Sequence, residues 1–392
     1  MRKLKRKVLA ITGIRSDYDI IYPVLRAIND DNRFQLKLIV CGAHLSDWHG
    51  NTLKNIINDN FTIADKIDNL FMTNRKTQRV KGIGTLISAM SQTVEREAPD
   101  FLFVPGDREE SIATAIIGNY MDILVAHLGG GDPVWGNADD PIRFAVSKLA
   151  HIHFTQAKEY ADNLLKTGED KFRVFSVGNP SLDNIRNTKK IKIAELAKFL
   201  NFDISRGNYL ILVKHPLSSE KEQSELHMKL TLQALDNFCN KYNFKIVASY
   251  PNTDPGSYDI INVLNKYERL PHFKFFKNIP HDIFVNLLRN ARAVVGNSSL
   301  GILESPYYKL PVVNIGNRQQ GRLNAGNIKF VDHDINKIIK SLKEACFDKK
   351  YRDYVSKVKN PFGNGKTSQK IVKILSSINN DDKKWYIKNK LC

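Results

Sequence analysis

The stretch HLGGGDPVWGNADDPIRFAVSK, residues 127–148, decides the fold of this chain, and the apolar run MDILVA directly precedes it. An unbroken apolar run of this kind is typical of a buried parallel strand. The glycines at 129–131 allow a sharp turn and a close approach of the backbone to a ligand. Carboxylates and a cation follow, at Asp132, Asp139, Asp140 and Arg143. Acidic groups beside an arginine at the carboxyl end of a strand are typical of a ligand site on an open α/β sheet. A loop followed by a capped helix is the alternative, and it accounts for only one of the aspartates.

Length and composition indicate a globular protein of two domains. The chain has 392 residues, of which 42% are hydrophobic and 26% charged, and this length exceeds one ordinary domain. No apolar run approaches the ~20 residues needed to span a bilayer. The start, MRKLKRKVLAITG, is interpreted as a first strand, because VLAIT is too short for a signal peptide. We therefore expect a cytoplasmic protein that does not bind membranes, with its four scattered cysteines reduced.

The net charge of +18 raises the possibility of a nucleic-acid partner. The lysines are spread along the whole chain, however, and no basic stripe is interleaved with aromatic residues. We expect no nucleic-acid binding, and the positive field favours an anionic small-molecule substrate.

Strand-like and helix-like segments alternate along both halves of the chain, which predicts doubly wound parallel sheets. In the first half the strand-like runs are KVLAITG, QLKLIVCG, FLFVPGD, ILVAHLG, HIHFTQ and RVFSVGNP. In the second half they are YLILVKHP, KIVASYPNTD, FKFFKN, RAVVGNSS, PVVNIGN and IKFVD, after a lysine-rich helix predicted at 188–199. The predicted organisation is a Rossmann-like domain at 1–185, a second one at 186–365, and a tail at 366–392. In the tail, a helix over 367–391 is expected to cross back to the first domain.

Polar residues also end the predicted strands of the second half. The segment GNSSLGILE, residues 296–304, follows a strand and opens a predicted helix. Backbone N–H groups at a helix start, with the hydroxyls of Ser298 and Ser299, suit a pyrophosphate, and Glu304 lies within reach of a ribose. Simple capping of the helix by a serine is the equal alternative. His215 ends the first strand of this half, where a structural histidine is the alternative to a catalytic one.

The order of the motifs resembles that of the hydrolysing UDP-N-acetylglucosamine 2-epimerases of sialic-acid biosynthesis. In the first half the matching motifs are RSDY at 15–18, GAHL at 42–45, GDR at 106–108, HLGGGD at 127–132, DDPIR at 139–143 and SK at 147–148. In the second half they are GNPSLD at 178–183, HP at 215–216, PNTDPGS at 251–257, GNSSLG at 296–301 and RQQGR at 318–322. The resemblance covers the chain from residue 7 to residue 375.

This resemblance implies a fold and a reaction. The family's fold is the GT-B architecture, an α/β fold with two Rossmann-like domains, parallel sheets and an active-site cleft between the domains. Its reaction expels UDP from C1 while the C2 proton is removed, and water then adds to the resulting glycal to give free N-acetylmannosamine. The resemblance implies a nucleotide-sugar substrate, no cofactor and no metal, and a homodimer or a dimer of dimers.

Roles for individual residues follow from the same resemblance. The predicted catalytic residues are Asp107, Asp132, Asp139, Arg143 and His215, with His215 as an acid near the leaving group. The predicted substrate-binding residues are Arg15, Asp17, His44, Arg108, Gly178, Asn252, Asp254, Ser298, Ser299, Glu304 and Arg318. The chain departs from the family pattern where Gly129 and Asp132 stand in place of glutamates and where Trp135 replaces a small residue.

Three other functions are left open. One is the same chemistry on a UDP- or GDP-linked 2,4-diacetamido-2,4,6-trideoxyhexose of a legionaminic-acid pathway. Another is a GT-B glycosyltransferase, against which the carboxylate-rich turn argues. The third is an inactive nucleotide-sugar sensor, which the absence of a glutamate at Gly129 suggests.

Overall fold

A computed structural model describes residues 5–47, 50–71, 76–133, 139–251, 256–277 and 279–388. The chain forms two compact units. The N-terminal unit contains the residues up to Arg186 together with those from Phe362 onward, and the C-terminal unit is Asn187–Pro361. Each unit is built on its own sheet of parallel strands.

The N-terminal unit has a seven-stranded sheet in the order β3-β2-β1-β4-β5-β6-β7. Its strands are β1 (Arg6–Thr12), β2 (Phe34–Cys41), β3 (Ile63–Ile67), β4 (Phe101–Pro105), β5 (Leu124–Leu128), β6 (Ile152–Thr155) and β7 (Val174–Ser176). Its helices are α1 (Arg15–Asn29), α2 (Leu53–Asn58), α3 (Lys76–Glu97), α4 (Glu109–Tyr120), α5 (Asp139–Leu149), α6 (Lys158–Lys166), α7 (Ser181–Asn187) and, after the second unit, α15 (Thr367–Ser377).

The C-terminal unit has a six-stranded sheet in the order β10-β9-β8-β11-β12-β13. Its strands are β8 (Tyr209–Val213), β9 (Lys245–Ser249), β10 (Phe273–Phe276), β11 (Ala293–Gly296), β12 (Val312–Ile315) and β13 (Ile328–Val331). Its helices are α8 (Ile193–Leu200), α9 (Ser224–Tyr242), α10 (Ser257–Tyr267), α11 (His281–Asn290), α12 (Leu300–Leu303), α13 (Ile335–Phe347) and α14 (Lys349–Lys357).

All described strand pairings are parallel, which confirms the predicted class of two parallel α/β sheets. Helices cover both faces of each sheet, so central strands such as β4, β5 and β8 are buried throughout. The strand order reverses between β1 and β4 in one sheet and between β8 and β11 in the other. Ligands of open α/β sheets bind outside the carboxyl ends of the strands at such switch points. None of the described helices is long and apolar enough to cross a membrane.

Two helix boundaries differ from the prediction. The helix expected over 188–199 begins only at Ile193, because the preceding backbone bonds to α11 instead. The Asn286 side chain accepts from the N–H of Ile191 at 3.0 Å and donates to the carbonyl of Lys189 at 2.9 Å. The helix expected over 367–391 ends at Ser377. There the Asn379 side chain accepts from the N–H of Asp381 at 3.2 Å, which is the local bonding by which asparagine competes with a helix.

The helix expected after GNSS is a single turn, α12, and Glu304 follows its end instead of lying inside it. Pro306 disfavours helical backbone at the residue before it, and the Ser305 hydroxyl donates to the carbonyl of Gly301 at the same point. The dipole of such a short helix is small, so any anion binding here depends on individual hydrogen-bond donors.

Candidate active site

An ion-paired cluster lies at the carboxyl ends of β4 and β5 in the N-terminal unit. The two strands pair in register up to Pro105 and Leu128, so the turns that follow them begin side by side. The guanidinium of Arg143, on α5, donates to the Asp107 carboxylate and to the Asp132 carbonyl. Its Nη1 also lies 3.8 Å from Oδ2 of Asp132. The structure thus brings three of the predicted catalytic residues together, all with side chains at most 18% exposed.

A buried histidine links the two chain segments that carry Asp107 and Arg143. The ring of His127, on β5, lies 2.7 Å from the Gly106 carbonyl through Nε2 and 3.1 Å from the Ser147 hydroxyl through Nδ1. Burial lowers the pKa of His127 to about 3, so the ring is neutral and Nε2 carries the proton that it donates to Gly106. Gly106 precedes Asp107, and Ser147 lies on the helix that carries Arg143. The sequence places His127 in the central motif but gives no signal for this bridging role.

A second cluster surrounds Arg108, the residue after Asp107. Its Nε lies 3.9 Å from Oδ2 of Asp17 and 3.7 Å from Oε2 of Glu110, and its Nη2 lies 3.8 Å from Oε2 of Glu109. Burial raises the pKa of Asp17 to about 7, an effect that the Arg108 charge opposes and the Glu110 and Asp107 charges reinforce. A carboxyl group that titrates near neutral pH in such a cluster is a candidate acid or base. Glu109 and Glu110 belong to this cluster but were not among the site residues predicted from the sequence.

Two other predicted binding residues of this unit occupy different environments. Arg15 lies at the start of α1 with its side chain 54% exposed, and its Nε is 3.4 Å from Asp19. His44 is fully buried, with Nε2 2.9 Å from the Thr12 hydroxyl and Nδ1 2.7 Å from the Thr52 hydroxyl. Burial lowers its pKa to about 4. The His44 ring therefore organises the turn after β2, and its predicted contact with substrate stays a prediction.

Gly178 packs against the segment that returns to this unit. A Cβ at this position, where φ is +105°, would lie 2.8 Å from the Phe362 carbonyl oxygen and 2.9 Å from Oγ1 of Thr367. In the same motif, the carboxylate of Asp183 accepts from the backbone N–H groups of Thr367 at 2.9 Å and Ser368 at 2.7 Å. Asp183 thereby caps the start of α15. The motif GNPSLD accordingly has a packing role here, and substrate binding by Gly178 stays a prediction.

In the C-terminal unit, Asn297 joins two predicted site residues. The Asn297 side chain accepts from the N–H of His215 at 2.7 Å and donates to the His215 carbonyl at 2.9 Å. Arg318 and Gln319 both donate to the Asn297 carbonyl at 3.1 Å. The residue that follows β11 thus holds both His215, which lies two residues after β8, and Arg318, which lies after β12. The predicted residues Asn252 and Asp254 lie outside the described residues, as do Trp135 and the side chain of Asp139.

The GNSS segment continues from Asn297. The Ser298 hydroxyl accepts weakly from the N–H of Leu300 at 3.4 Å, and Ser299 begins the turn of α12. Burial raises the pKa of Glu304 to about 7. Binding of pyrophosphate by the two serines and of ribose by Glu304 remain predictions.

The Glu304→Gln variant is expected to be more stable than the parent chain at pH 8 but not at pH 4. In the folded chain the raised pKa means that Glu304 binds its proton more tightly than in the unfolded chain. The folded state therefore loses stability as the pH rises from about 4.5 to about 7, and glutamine removes that loss. Because the side chain keeps some exposure, we expect a gain of about 1–3 kcal/mol at pH 8. Calorimetric melting of both proteins at the two pH values measures it, and an equal gain at pH 4 would contradict the assignment.

No group of three or more His, Cys, Asp or Glu side chains among the described residues is arranged to hold a metal ion.

Comparison with known proteins places the chain in a family. The family model described as UDP-N-acetylglucosamine 2-epimerase matches residues 26–376. The UDP-N,N'-diacetylbacillosamine 2-epimerase (hydrolyzing) of Legionella pneumophila is 31% identical, over 95% of this chain and 96% of that protein. The GDP/UDP-N,N'-diacetylbacillosamine 2-epimerase (hydrolyzing) of Campylobacter jejuni is 34% identical, over 85% of each chain.

A solved structure supports the fold. The UDP-GlcNAc 2-epimerase of Neisseria meningitidis, bound to UDP-GlcNAc, superposes with a TM-score of 0.76 at 19% identity. The match covers 95% of this chain and all of that one. Because the family model spans most of the sequence and two relatives exceed 30% identity over nearly their whole length, the chain belongs to the UDP-N-acetylglucosamine 2-epimerase family and is a hydrolysing nucleotide-sugar 2-epimerase.

Proposed function

We propose that this enzyme converts a UDP-linked 2,4-diacetamido-2,4,6-trideoxyhexose into UDP and the free sugar inverted at C2. In the first step the C1–O bond to UDP breaks, the C2 proton passes to a base, and a double bond forms between C1 and C2. In the second step water supplies a hydroxyl to C1 and a proton returns to C2 on the opposite face. The observation that carries the proposal is the cluster of Asp107, Asp132 and Arg143 at the sheet edge.

In this proposal, the N-terminal unit acts on the sugar. A positive charge develops at C1 as the bond to UDP breaks, and a nearby carboxylate such as that of Asp107 or Asp132 stabilises it. Arg143 holds these carboxylates in place so that little reorganisation is needed during the reaction. Asp17 titrates near neutral pH, which suits a group that exchanges a proton during turnover. Asp139 is proposed as a further acid of this unit on the family resemblance.

The C-terminal unit binds the nucleotide in this proposal. Arg318 and the hydroxyls of Ser298 and Ser299 supply donors for the pyrophosphate, and Glu304 supplies an acceptor for the ribose hydroxyls. The backbone of His215 is hydrogen-bonded to the Asn297 side chain. His215 is the proposed acid that protonates the departing phosphate oxygen. These roles rest on the matching motifs and on the hydrogen bonds that join His215, Asn297 and Arg318.

The sequence resemblance alone suggests UDP-N-acetylglucosamine as the substrate. Two observations favour the diacetamido sugar instead. Both relatives above carry diacetylbacillosamine in their names. In addition, the lining of the pocket that contains Arg108 and Glu110 includes the apolar side chains of Ile14, Leu70 and Ile83. Apolar side chains suit the methyl groups of a 6-deoxy, 4-acetamido sugar better than a hydroxymethyl and a hydroxyl group.

A panel of nucleotide sugars tests the proposal. The purified protein is incubated with the UDP- and GDP-linked diacetamido sugars and with UDP-N-acetylglucosamine, and the products are identified by NMR. We expect free C2-inverted sugar, with kcat/KM about tenfold or more in favour of the UDP-linked diacetamido sugar. A preference for UDP-N-acetylglucosamine would contradict the proposed sugar and would indicate an enzyme of the sialic-acid type. A glycosylated acceptor or an unchanged substrate would contradict the reaction itself.

The family resemblance further supports a cytoplasmic enzyme that forms a homodimer or a dimer of dimers. Light scattering of the purified protein at micromolar concentration tests this part of the proposal, and a monomeric mass would contradict it.

A further inference from the structure

A lysine is buried directly after β8, and no carboxylate of the described residues is in contact with it. Lys214 directly precedes His215 and is only 3% exposed. Its Nζ donates to Nε2 of His333 at 3.0 Å and to the Ile315 carbonyl at 3.4 Å. Among the described residues, no carboxylate lies within 4 Å of this Nζ. A buried cation that lacks a counter-ion is costly, so its presence requires an explanation other than packing.

The groups that face Lys214 from the neighbouring elements do not neutralise it. On α9, His227 stacks on His333 with ring centres 3.6 Å apart, and its Nδ1 lies 3.6 Å from Oε2 of Glu220. Burial lowers the pKa of His333 to about 3 and that of His227 in the same direction, with the Lys214 charge contributing to both. Both rings are therefore neutral at neutral pH. Glu220 is the single nearby carboxylate that raises the pKa of Lys214 among the described residues.

Lys214 lines a pocket together with the candidate nucleotide residues. His215, Asn297 and Arg318 belong to the same pocket, as does Ser224. The Ser224 hydroxyl is buried and has no hydrogen-bond partner among the described residues. The pocket thus presents the cations of Lys214 and Arg318 and the Ser224 hydroxyl, with the Glu220 carboxylate also in its lining. An anion is the ligand class that suits these cations and this donor. Burial lowers the pKa of Lys214 to about 7, so in the empty pocket its charge is readily lost.

We propose that Lys214 is the buried cationic group of the diphosphate site and that it takes up a proton when the nucleotide binds. This inference rests on the proposed function, because it takes the ligand of the pocket to be the diphosphate of UDP. An anion nearby favours the ammonium form of a lysine. By linkage, proton uptake on binding means that UDP binds more weakly as the pH rises above the pKa of the free site.

Calorimetric titration of the full-length protein with UDP at pH 8 tests the inference. At this pH the terminal phosphate of UDP is fully ionised, so the ligand contributes almost no proton change. The titration is repeated in HEPES and Tris, whose ionisation enthalpies differ, and the difference in heat counts the protons taken up. A rise of the lysine pKa by one unit from about 7 corresponds to about 0.4 proton per UDP.

Two variants assign the proton to Lys214. Lys214→Met should abolish the uptake and weaken UDP binding at pH 7. Lys214→Arg keeps a permanent charge, so it should bind UDP without uptake and with an affinity that is flat from pH 7 to pH 9. Lys266→Met, which removes a lysine 67% exposed on α10 of the same unit, is the control and should behave like the parent chain.

The possible outcomes separate this inference from the function on which it rests. UDP binding with heats that do not depend on the buffer would overturn the inference and leave the proposed function standing. Uptake that persists in Lys214→Met would assign the proton to another group and also overturn it. No heat of UDP binding in any buffer would overturn both. Proton uptake that is seen in the parent chain and in Lys266→Met, and that disappears in Lys214→Met and Lys214→Arg, supports the inference.

Discussion

Asp107→Asn is expected to lower kcat for release of the free sugar by about 10²- to 10⁴-fold, the contribution of a well-placed acid or base. The Asp107 carboxylate accepts from the guanidinium of Arg143 and lies in a largely buried turn. Asparagine keeps the shape but loses the negative charge that stabilises the developing charge at C1. UDP affinity should stay nearly unchanged, because the proposed nucleotide contacts belong to the C-terminal unit. Steady-state kinetics and UDP titration of one preparation measure both quantities.

A matched control for this variant is Asp31→Asn. Asp31 is also paired with an arginine, Arg33, at 2.6 Å, but it precedes β2 and therefore lies at the opposite edge of the same sheet. Its replacement should leave kcat within about twofold, because Asp31 lies away from the proposed catalytic cluster. The variant should also fold normally, since surface ion pairs contribute little to stability. If Asp107→Asn turns over at the parent rate, the catalytic carboxylate must be sought at Asp132 or Asp139.

Arg173→Met is expected to lower the free energy of unfolding by about 3–5 kcal/mol, the cost of removing one partner from a buried charged network. Arg173 is fully buried beside β7. Its guanidinium donates to the Asp170 carboxylate and to the backbone carbonyls of His151, Lys384, Trp385 and Ile387. Methionine fills similar volume but leaves these oxygens without donors in a buried place. Thermal or urea unfolding measures the loss.

The same variant should also release the segment 384–388. In the parent chain Lys388 donates to the Lys148 carbonyl at 2.6 Å and to the Ser147 carbonyl at 3.2 Å, at the end of α5. Limited proteolysis with trypsin should therefore cleave after Lys383 or Lys384 faster in Arg173→Met. Arg33→Met, which removes an arginine 57% exposed, is the control and should cost about 1 kcal/mol or less. Parent-like stability of Arg173→Met would show that the tail contributes little to this unit.

The parallel fold was predictable because strands buried on both faces have continuous apolar sequences. FLFVP in β4 and YLILV in β8 are examples, and both are buried along their whole length. The strand β3, with the sequence IADKI, was not predicted. It lies at the edge of its sheet with mostly half-exposed side chains, so the apolar signal that identifies a central strand is missing.

The candidate site was predictable only in its local parts. Asp107, Asp132 and Arg143 follow neighbouring parallel strands, and such strand ends meet at one edge by geometry. Contacts over long sequence distances leave no local signal. Lys214 and His333 are 119 residues apart, and neither position has a pattern that points to the other. The bridging role of His127 depends on the depth at which its ring is buried, which the motif around it does not reveal.

The discontinuity of the N-terminal unit has a consequence for protein synthesis. Arg173 and the carbonyls that it binds in residues 384–387 are 211 to 214 positions apart. At about 5–20 residues per second, the ribosome needs roughly 10–40 s to translate that interval. During this time the guanidinium stays hydrated and the face of α1 that α15 covers stays exposed. The contiguous C-terminal unit, Asn187–Pro361, has its whole sequence before residues 384–387 are made. The nascent chain is therefore expected to finish the later unit first and to depend on chaperones at the earlier one.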